Sequence, residues 1–220
     1  MKLLRQTIEG LVVESAAAAR PPERLTVAEA AEQYRYLNNP GAYVGPYLND
    51  TVPYLREPME VFTSREYIAA VFCGPAQSAK TEMFLNWLAY SVRCDPADMM
   101  LVQTSQTTAR DFSMRRVDRM HRHSPKIGSY LADGKSSDNT FDKHYRAGMM
   151  LSLSWPTINE LSGKPIPRQF LTDFDRMPED VDGEGNAFDL TAKRGTTFGR
   201  NRMTVAESSL NGSSPRGWGT

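Results

Sequence analysis

Long hydrophobic runs, a framework of cysteines and any excess of one charge are all missing from this sequence. No apolar stretch approaches the ~20 residues needed to cross a bilayer, so no membrane-spanning helix is expected. The amino-terminal twenty residues start basic, but Glu9 and Glu14 interrupt their apolar run. That argues against a secretory signal and for a short helix or arm. The two cysteines, Cys73 and Cys94, have neither metal-ligand spacing nor the density of a disulfide scaffold. A reducing compartment fits them, and Cys73, closing an apolar run, reads as a small buried residue. His121, His123 and His144 show no ligand spacing with Cys or Glu and read as surface or structural residues. Lys plus Arg and Asp plus Glu stand at 26 each, giving a net charge of zero. The balance neither points to nucleic acid nor excludes it, and any such contact must come from local patches.

What is present suffices for one substantial core: 220 residues, 40% of them hydrophobic. No disulfide or zinc staple is required at that size. Arg20-Pro21-Pro22 reads as a linker, and Thr26-Val27-Ala28-Glu29 as a capping box opening a helix to about Tyr36. Residues 38–53, with three prolines and two glycines, read as loop. A helix near 55–62 leads into the apolar run 67–73, whose length suggests a buried strand. Helices at 80–92, 105–122 and 187–194 then alternate with strands at 99–103, 149–154, 169–174 and 203–206, and a polar loop fills 128–142. Such alternation predicts an α/β fold, a mostly parallel sheet with helices on both faces.

Directly after the first strand stands Gly74-Pro75-Ala76-Gln77-Ser78-Ala79-Lys80-Thr81. This is the spacing of a Walker A phosphate-binding loop, with Ala79 where the second glycine usually stands. Such a loop converges its amides on phosphate oxygens at the positive end of a helix dipole, worth about half a charge. Lys80 is then expected to neutralise the β- and γ-phosphates of ATP, and Thr81 to hold Mg2+. A glycine turn ahead of an ordinary helix would read the same way, and a Cβ at Ala79 crowds a position that favours glycine.

A P-loop enzyme also needs carboxylates at the end of a separate strand, and Phe170-Leu171-Thr172-Asp173-Phe174-Asp175 offers them. In extended backbone Asp173 and Asp175 share a face. Asp173 is assigned to magnesium and Asp175 to the attacking water, with the two roles open to exchange; an aspartate capping a turn before Met177-Pro178 is the plainer alternative. The acidic run 179–184 is a cation site or, more simply, a solvated loop. Across 105–122, Arg110, Arg115, Arg116, Arg119 and Arg122 face only Asp111 and Asp118, over a stripe of Ala109, Phe112, Val117 and Met120. Such a face suits the phosphates of duplex DNA, an ordinary solvated surface, or an arginine directed at a neighbouring subunit's ATP.

Together, GPAQSAKT, FLTDFDRMPEDVDGEG (170–185), Phe188-Asp189-Leu190, Lys193-Arg194 and MTVAESS (203–209) resemble the lambda GpA type of tailed-phage terminase large subunit, over roughly residues 25–212. The resemblance implies an ASCE-like P-loop ATPase using ATP and Mg2+, acting in the host cytoplasm. It implies a motor in a homo-oligomeric ring that drives double-stranded DNA through the portal protein into the procapsid, with a small terminase subunit choosing the DNA. It assigns Ser208 and Ser209 to the motif coupling hydrolysis to movement, and places Tyr43 and Tyr54-Leu55-Arg56 where such motors contact adenine. Two departures stand out. The family's Asp-Glu pair is replaced by Thr172-Asp173, and no carboxylate set for the family's nuclease region is visible. The expected organisation is an arm at 1–25, a motor domain at 26–210 and a tail at 211–220. Two other readings stay open: a nucleotide- or DNA-binding subunit whose P-loop no longer hydrolyses, for which Ala79 and Thr172 speak, and a helicase-like ATPase.

Overall fold

The computed structural model describes residues 23–134 and 137–209, so the expected arm, the Arg20-Pro21-Pro22 linker and the tail lie outside the described residues. The first described helix, α1 (Val27–Tyr34), starts at the capping box. Thr26 Oγ1 accepts from the Glu29 amide at 3.2 Å, and Glu29 returns the contact to the Thr26 amide at 2.8 Å. The backbone hydrogen bond at Thr26 holds the Glu29 carboxyl below its ordinary pKa. Two otherwise orphaned donors are thereby satisfied. Val27, Ala28, Ala30, Ala31 and Tyr34 form the buried face.

Beyond α1, the stretch expected as loop folds into an antiparallel hairpin, β1 (Tyr36–Asn39) and β2 (Tyr43–Pro46). Gly41, at φ +83°, supplies the left-handed residue that its turn needs. The short α2 (Arg56–Val61) precedes β3 (Ala69–Gly74) and the long α3 (Lys80–Arg93). The chain then alternates: β4 (Met99–Val102), α4 (Gln106–Phe112), α5 (Asp118–His123), α6 (Pro125–Gly128), β5 (Asp142–His144), β6 (Met150–Ser154), α7 (Ile158–Leu161), β7 (Arg168–Leu171), α8 (Ala187–Lys193) and β8 (Met203–Ser209).

Among the described residues one sheet has the order β3-β8-β7-β4-β6-β5, parallel throughout except for the β5–β6 pair. Its central strands are buried on both faces. Met99 and Leu101 of β4 join a core with Trp87, Phe84 and Phe170, while Met100 and Val102 join a second core with Leu161, Leu190 and Ala206. Period-two alternation thus feeds two helical layers at once, the arrangement that a parallel sheet requires. β5 begins at Asp142, the last residue of the segment expected as loop, where no strand was expected.

Two further expectations are corrected. β3 stands at an edge among the described residues, so only one face is covered: Val71 is 55% exposed, and Cys73 is exposed rather than buried. The single helix expected over 105–122 is interrupted by a π turn at Ser113–Val117. Its predicted stripe is nonetheless buried, with Ser113 and His121 added to Ala109, Phe112, Val117 and Met120. His121 is structural: its Nε2 meets the Tyr145 hydroxyl at 2.9 Å, and burial pushes its pKa down to about 4.

Candidate functional site, a curled loop beside a buried carboxylate

β3 delivers the chain to Gly74, where a Cβ would stand 3.1 Å from the Phe72 ring and 3.2 Å from Ser78 Oγ, tighter than ordinary contact. The loop that follows turns through two left-handed residues, Gln77 at φ 64° and Ala79 at φ 56°. Ala79 therefore occupies a glycine-type conformation, strained by its Cβ on the order of 1 kcal/mol, and forms the last residue before α3. Ser78 Oγ donates to Pro75 O at 2.7 Å, and the Tyr54 hydroxyl donates to Ser78 O at 3.1 Å. The loop is held in a curl from both sides.

Lys80, 6% exposed, folds its side chain back over this curl. Its Nζ donates to Pro75 O at 2.9 Å, Gly74 O at 3.4 Å and Ser209 Oγ at 3.0 Å, with Glu207 Oε2 at 3.9 Å. Both Ser209 and Glu207 sit on β8, the strand between β3 and β7, whose end therefore touches the loop on one side and the acidic turn on the other. Ser208 Oγ accepts from the Asp175 amide at 3.1 Å. The expected coupling pair thus bridges the two halves of the site, Ser209 to Lys80 and Ser208 to the turn bearing Asp175.

The acidic segment departs from its expected geometry. β7 ends at Leu171, Asp173 is left-handed at φ 48°, and Phe174–Arg176 is a 3-10 turn. The shared face expected for Asp173 and Asp175 requires extended backbone and does not form. Asp173 faces the cleft, whereas Asp175 is exposed on the turn and outside the cleft wall. In the acidic run, Asp180 accepts from the amides of Gly183 at 2.6 Å and Gly185 at 2.9 Å, closing a loop.

Glu207 was not singled out by sequence reasoning. It is 1% exposed, and its Oε2 has no hydrogen-bond partner among the described residues. Burial, next the nearby Asp173 carboxylate and, least, that of Asp175 push its pKa up to about 7 against the pull of Lys80 and of the Asp173 backbone amide. The signal that would have found it is the single charged residue of an expected interior strand, since a buried glutamate is rare.

These groups wall a cleft of about 520 Å3 between the hairpin and the loop. Ala76, Gln77, Ser78, Ala79, Lys80, Thr81, Asp173, Glu207 and Ser209 form one side, and Leu37, Asn39, Tyr43, Tyr47 and Leu48 the other. Tyr43 of the expected base-contacting stretch lines it, Tyr54 braces the loop from outside, and Leu55 is buried. A smaller recess alongside joins Thr81, Gln103, Thr172, Asp173 and Arg116. The volume and the mixture of apolar wall with a few aimed polar groups suit a nucleotide-sized ligand.

The arginines expected to form one free basic face divide. Arg116 turns inward to pair with Glu82 in the first turn of α3 and lines both openings. Arg115 and Arg119 flank the hairpin, and Arg122 is exposed with its Nε donating to Asp118 O at 3.2 Å.

Against known proteins, the chain is similar in fold to the crystal structure of the HK97 bacteriophage large terminase, with a TM-score of 0.61 at 13% identity. That alignment covers 84% of this chain and 38% of the HK97 chain, so this chain spans well under half of its length. No curated protein sequence matches. Residues 41–214 match the family model for the ATPase domain of phage terminase large subunit gpA, a span running from the hairpin turn past the end of β8. Its parallel α/β sheet, the loop at Gly74–Lys80 and that match together make this chain a member of the phage terminase large subunit gpA ATPase-domain family.

Proposed function

We propose that this chain binds ATP with magnesium in the cleft over α3 and hydrolyses it to move double-stranded DNA into a procapsid. The observation that carries the reading is Lys80: a buried cation at the amino end of a fourteen-residue helix, held over a curled loop, with carboxylates on a separate strand and turn facing it. Lys80 now satisfies its ammonium with carbonyl oxygens. The β- and γ-phosphates of ATP offer fully charged acceptors in the same place, and the helix dipole adds to the attraction.

Thr81 and Asp173 meet in the recess beside Lys80. Magnesium keeps several waters and takes one or two protein oxygens besides phosphate, so a hydroxyl with one carboxylate is a fitting donor set. Bound there, the ion would neutralise charge on the phosphates. Gln77, Ser78 and Ala79 supply loop amides, and Tyr43 with the hairpin wall receives the base. Ser208 and Ser209 link the acidic turn to Lys80, the route by which loss of the γ-phosphate reaches the rest of the sheet. Arg115, Arg119 and Arg122 offer phosphate contacts to DNA, with Arg116 engaged at the loop. The working assembly is a homo-oligomeric ring on the portal protein, with a small terminase subunit, in the host cytoplasm.

Steady-state hydrolysis of ATP with and without Mg2+ and duplex DNA tests this. Wild type is expected to require magnesium, and Lys80→Ala to abolish turnover. DNA stimulation should fall steeply between ~50 and ~200 mM salt, as counterion release demands. A wild type that binds no nucleotide refutes the reading. Thr172, a hydroxyl where the family carries an acid, favours a second one, a subunit that binds ATP without turning it over; binding without hydrolysis in the presence of DNA would select it.

A further inference from the structure

Resting on the nucleotide-binding reading above, we propose that Glu207 is the carboxylate that orients the attacking water and takes its proton. The sheet register supplies the first argument. Leu171 pairs with Ala206 in the parallel β7–β8 ladder, so one step on Thr172 lies beside Glu207. A carboxylate therefore stands on the adjacent strand at the level of Thr172, where the family's Asp-Glu pair begins. That strand is nearer the loop, because β8 separates β7 from β3.

The second argument is the state of the side chain. Glu207 lines the cleft with Lys80, Thr81 and Asp173 and is almost wholly buried, yet its Oε2 accepts no hydrogen bond among the described residues. A buried carboxylate oxygen without a donor is expensive and calls for a partner that the described residues do not supply. Pairing with Lys80 does not answer this. The separation is 3.9 Å, and Lys80 already donates to Gly74 O, Pro75 O and Ser209 Oγ. Asp175, the carboxylate first expected to polarise water, is exposed on its turn and outside the cleft wall.

A water between Glu207 and the γ-phosphate completes the arrangement. Its oxygen bonds to Pγ while the bond from Pγ to the β,γ-bridging oxygen breaks. That oxygen leaves with ADP, and the water's proton passes to Glu207 and then to solvent, leaving ADP, inorganic phosphate and one proton.

The test compares wild type, Glu207→Gln, Glu207→Asp and Asp175→Asn in single-turnover hydrolysis and in equilibrium binding of fluorescent ATP and ADP. Glu207→Gln is expected to slow turnover on the order of 10²- to 10⁴-fold. It should also raise the affinity for ATP relative to ADP by roughly tenfold, because a negative charge beside the γ-phosphate is removed. Glu207→Asp, which keeps the charge and retracts the oxygen by one methylene, should lose turnover with the ATP-to-ADP ratio unchanged. Asp175→Asn should stay within a few-fold of wild type. Turnover of Glu207→Gln within a few-fold of wild type overturns the proposal, as does an equal gain for ATP and ADP, the mark of a group that merely neutralises Lys80. Wild type that binds ATP without turnover also overturns it while sparing the binding reading. Wild type that binds neither nucleotide overturns both.

Discussion

Glu82 sits two residues beyond Lys80 and joins three parts of the molecule, so its replacement tests the reasoning about buried charge directly. Its Oε2 lies 2.8 Å from Arg35 Nη1, and its Oε1 meets Arg116. Arg35 is 3% exposed in its side chain and Glu82 14%, while Arg116 is 37% exposed. Burial by itself would raise the Glu82 carboxyl, but the Arg35 and Arg116 guanidiniums beside it hold it below the ordinary carboxylate value. Glu82→Gln keeps the shape and removes the charge, leaving Arg35 buried with only Asn86 and the Tyr47 ring. Breaking a buried pair costs about 3–5 kcal/mol, and the half-exposed Arg116 contact adds under about 1 kcal/mol. Because glutamine retains an acceptor, the low end applies: roughly 3 kcal/mol, or about 6–12 °C in Tm for a domain of this size. Denaturant unfolding at pH 7, free of nucleotide and magnesium, measures it. A depressed carboxylate pKa contributes stability above the unfolded value that is lost as pH falls through the folded one, so the gap between wild type and Glu82→Gln should close in acid. Arg35→Met combined with Glu82→Leu should recover most of the loss, since a buried pair replaced by apolar groups is often neutral. A Glu82→Gln chain within about 0.5 kcal/mol of wild type would refute the account.

Two further outcomes concern stability. His121, with a folded pKa of about 4 against the ordinary 6.5, contributes stability above pH 6.5 that is lost as pH falls toward 4. Urea unfolding at pH 7.5 and 4.5 should show wild type losing roughly 2–3 kcal/mol more than His121→Gln over that interval, and equal losses would refute the buried neutral imidazole. Ala79→Gly relieves the left-handed strain at φ 56° at the expense of one half-buried methyl and some unfolded-state entropy. Strain of about 1–2 kcal/mol set against roughly 0.4–1 kcal/mol of unfolded-state entropy leaves a net gain of up to about 1 kcal/mol, read as a Tm higher by up to roughly 4 °C, and a lower Tm would show that the loop tolerates its alanine without strain.

Local rules carried the sequence reading wherever a feature depends on neighbours in the chain. The Thr26–Glu29 box needs only four residues, and it stands at the start of α1. The loop from Gly74 to Lys80 needs a strand, a tight turn and a helix in succession, and the chain supplies all three. The alternation of apolar strands with helical segments led to a mostly parallel sheet covered on both faces, as found. Where reading failed, the deciding contact lay far away. Period-two logic put Asp173 and Asp175 on one face, but the strand stops at Leu171 and the chain turns left-handed at Asp173. Residues 38–53 looked like loop because three prolines and two glycines fall there, yet the end of β1 and all of β2 form within them and wall the cleft. Cys73 ends an apolar run that an edge position leaves half uncovered.

By itself, then, the order of residues determined the alternation of strands and helices, the strand–loop–helix turn at Gly74–Lys80 and the presence of a parallel sheet, because hydrogen bonding in caps and turns and the periodicity of apolar side chains are short-range properties. Only the tertiary structure decided which acids face Lys80. Strand order is a matter of long-range pairing, and by setting β8 between β3 and β7 it buries Glu207 at the loop and leaves Asp175 outside.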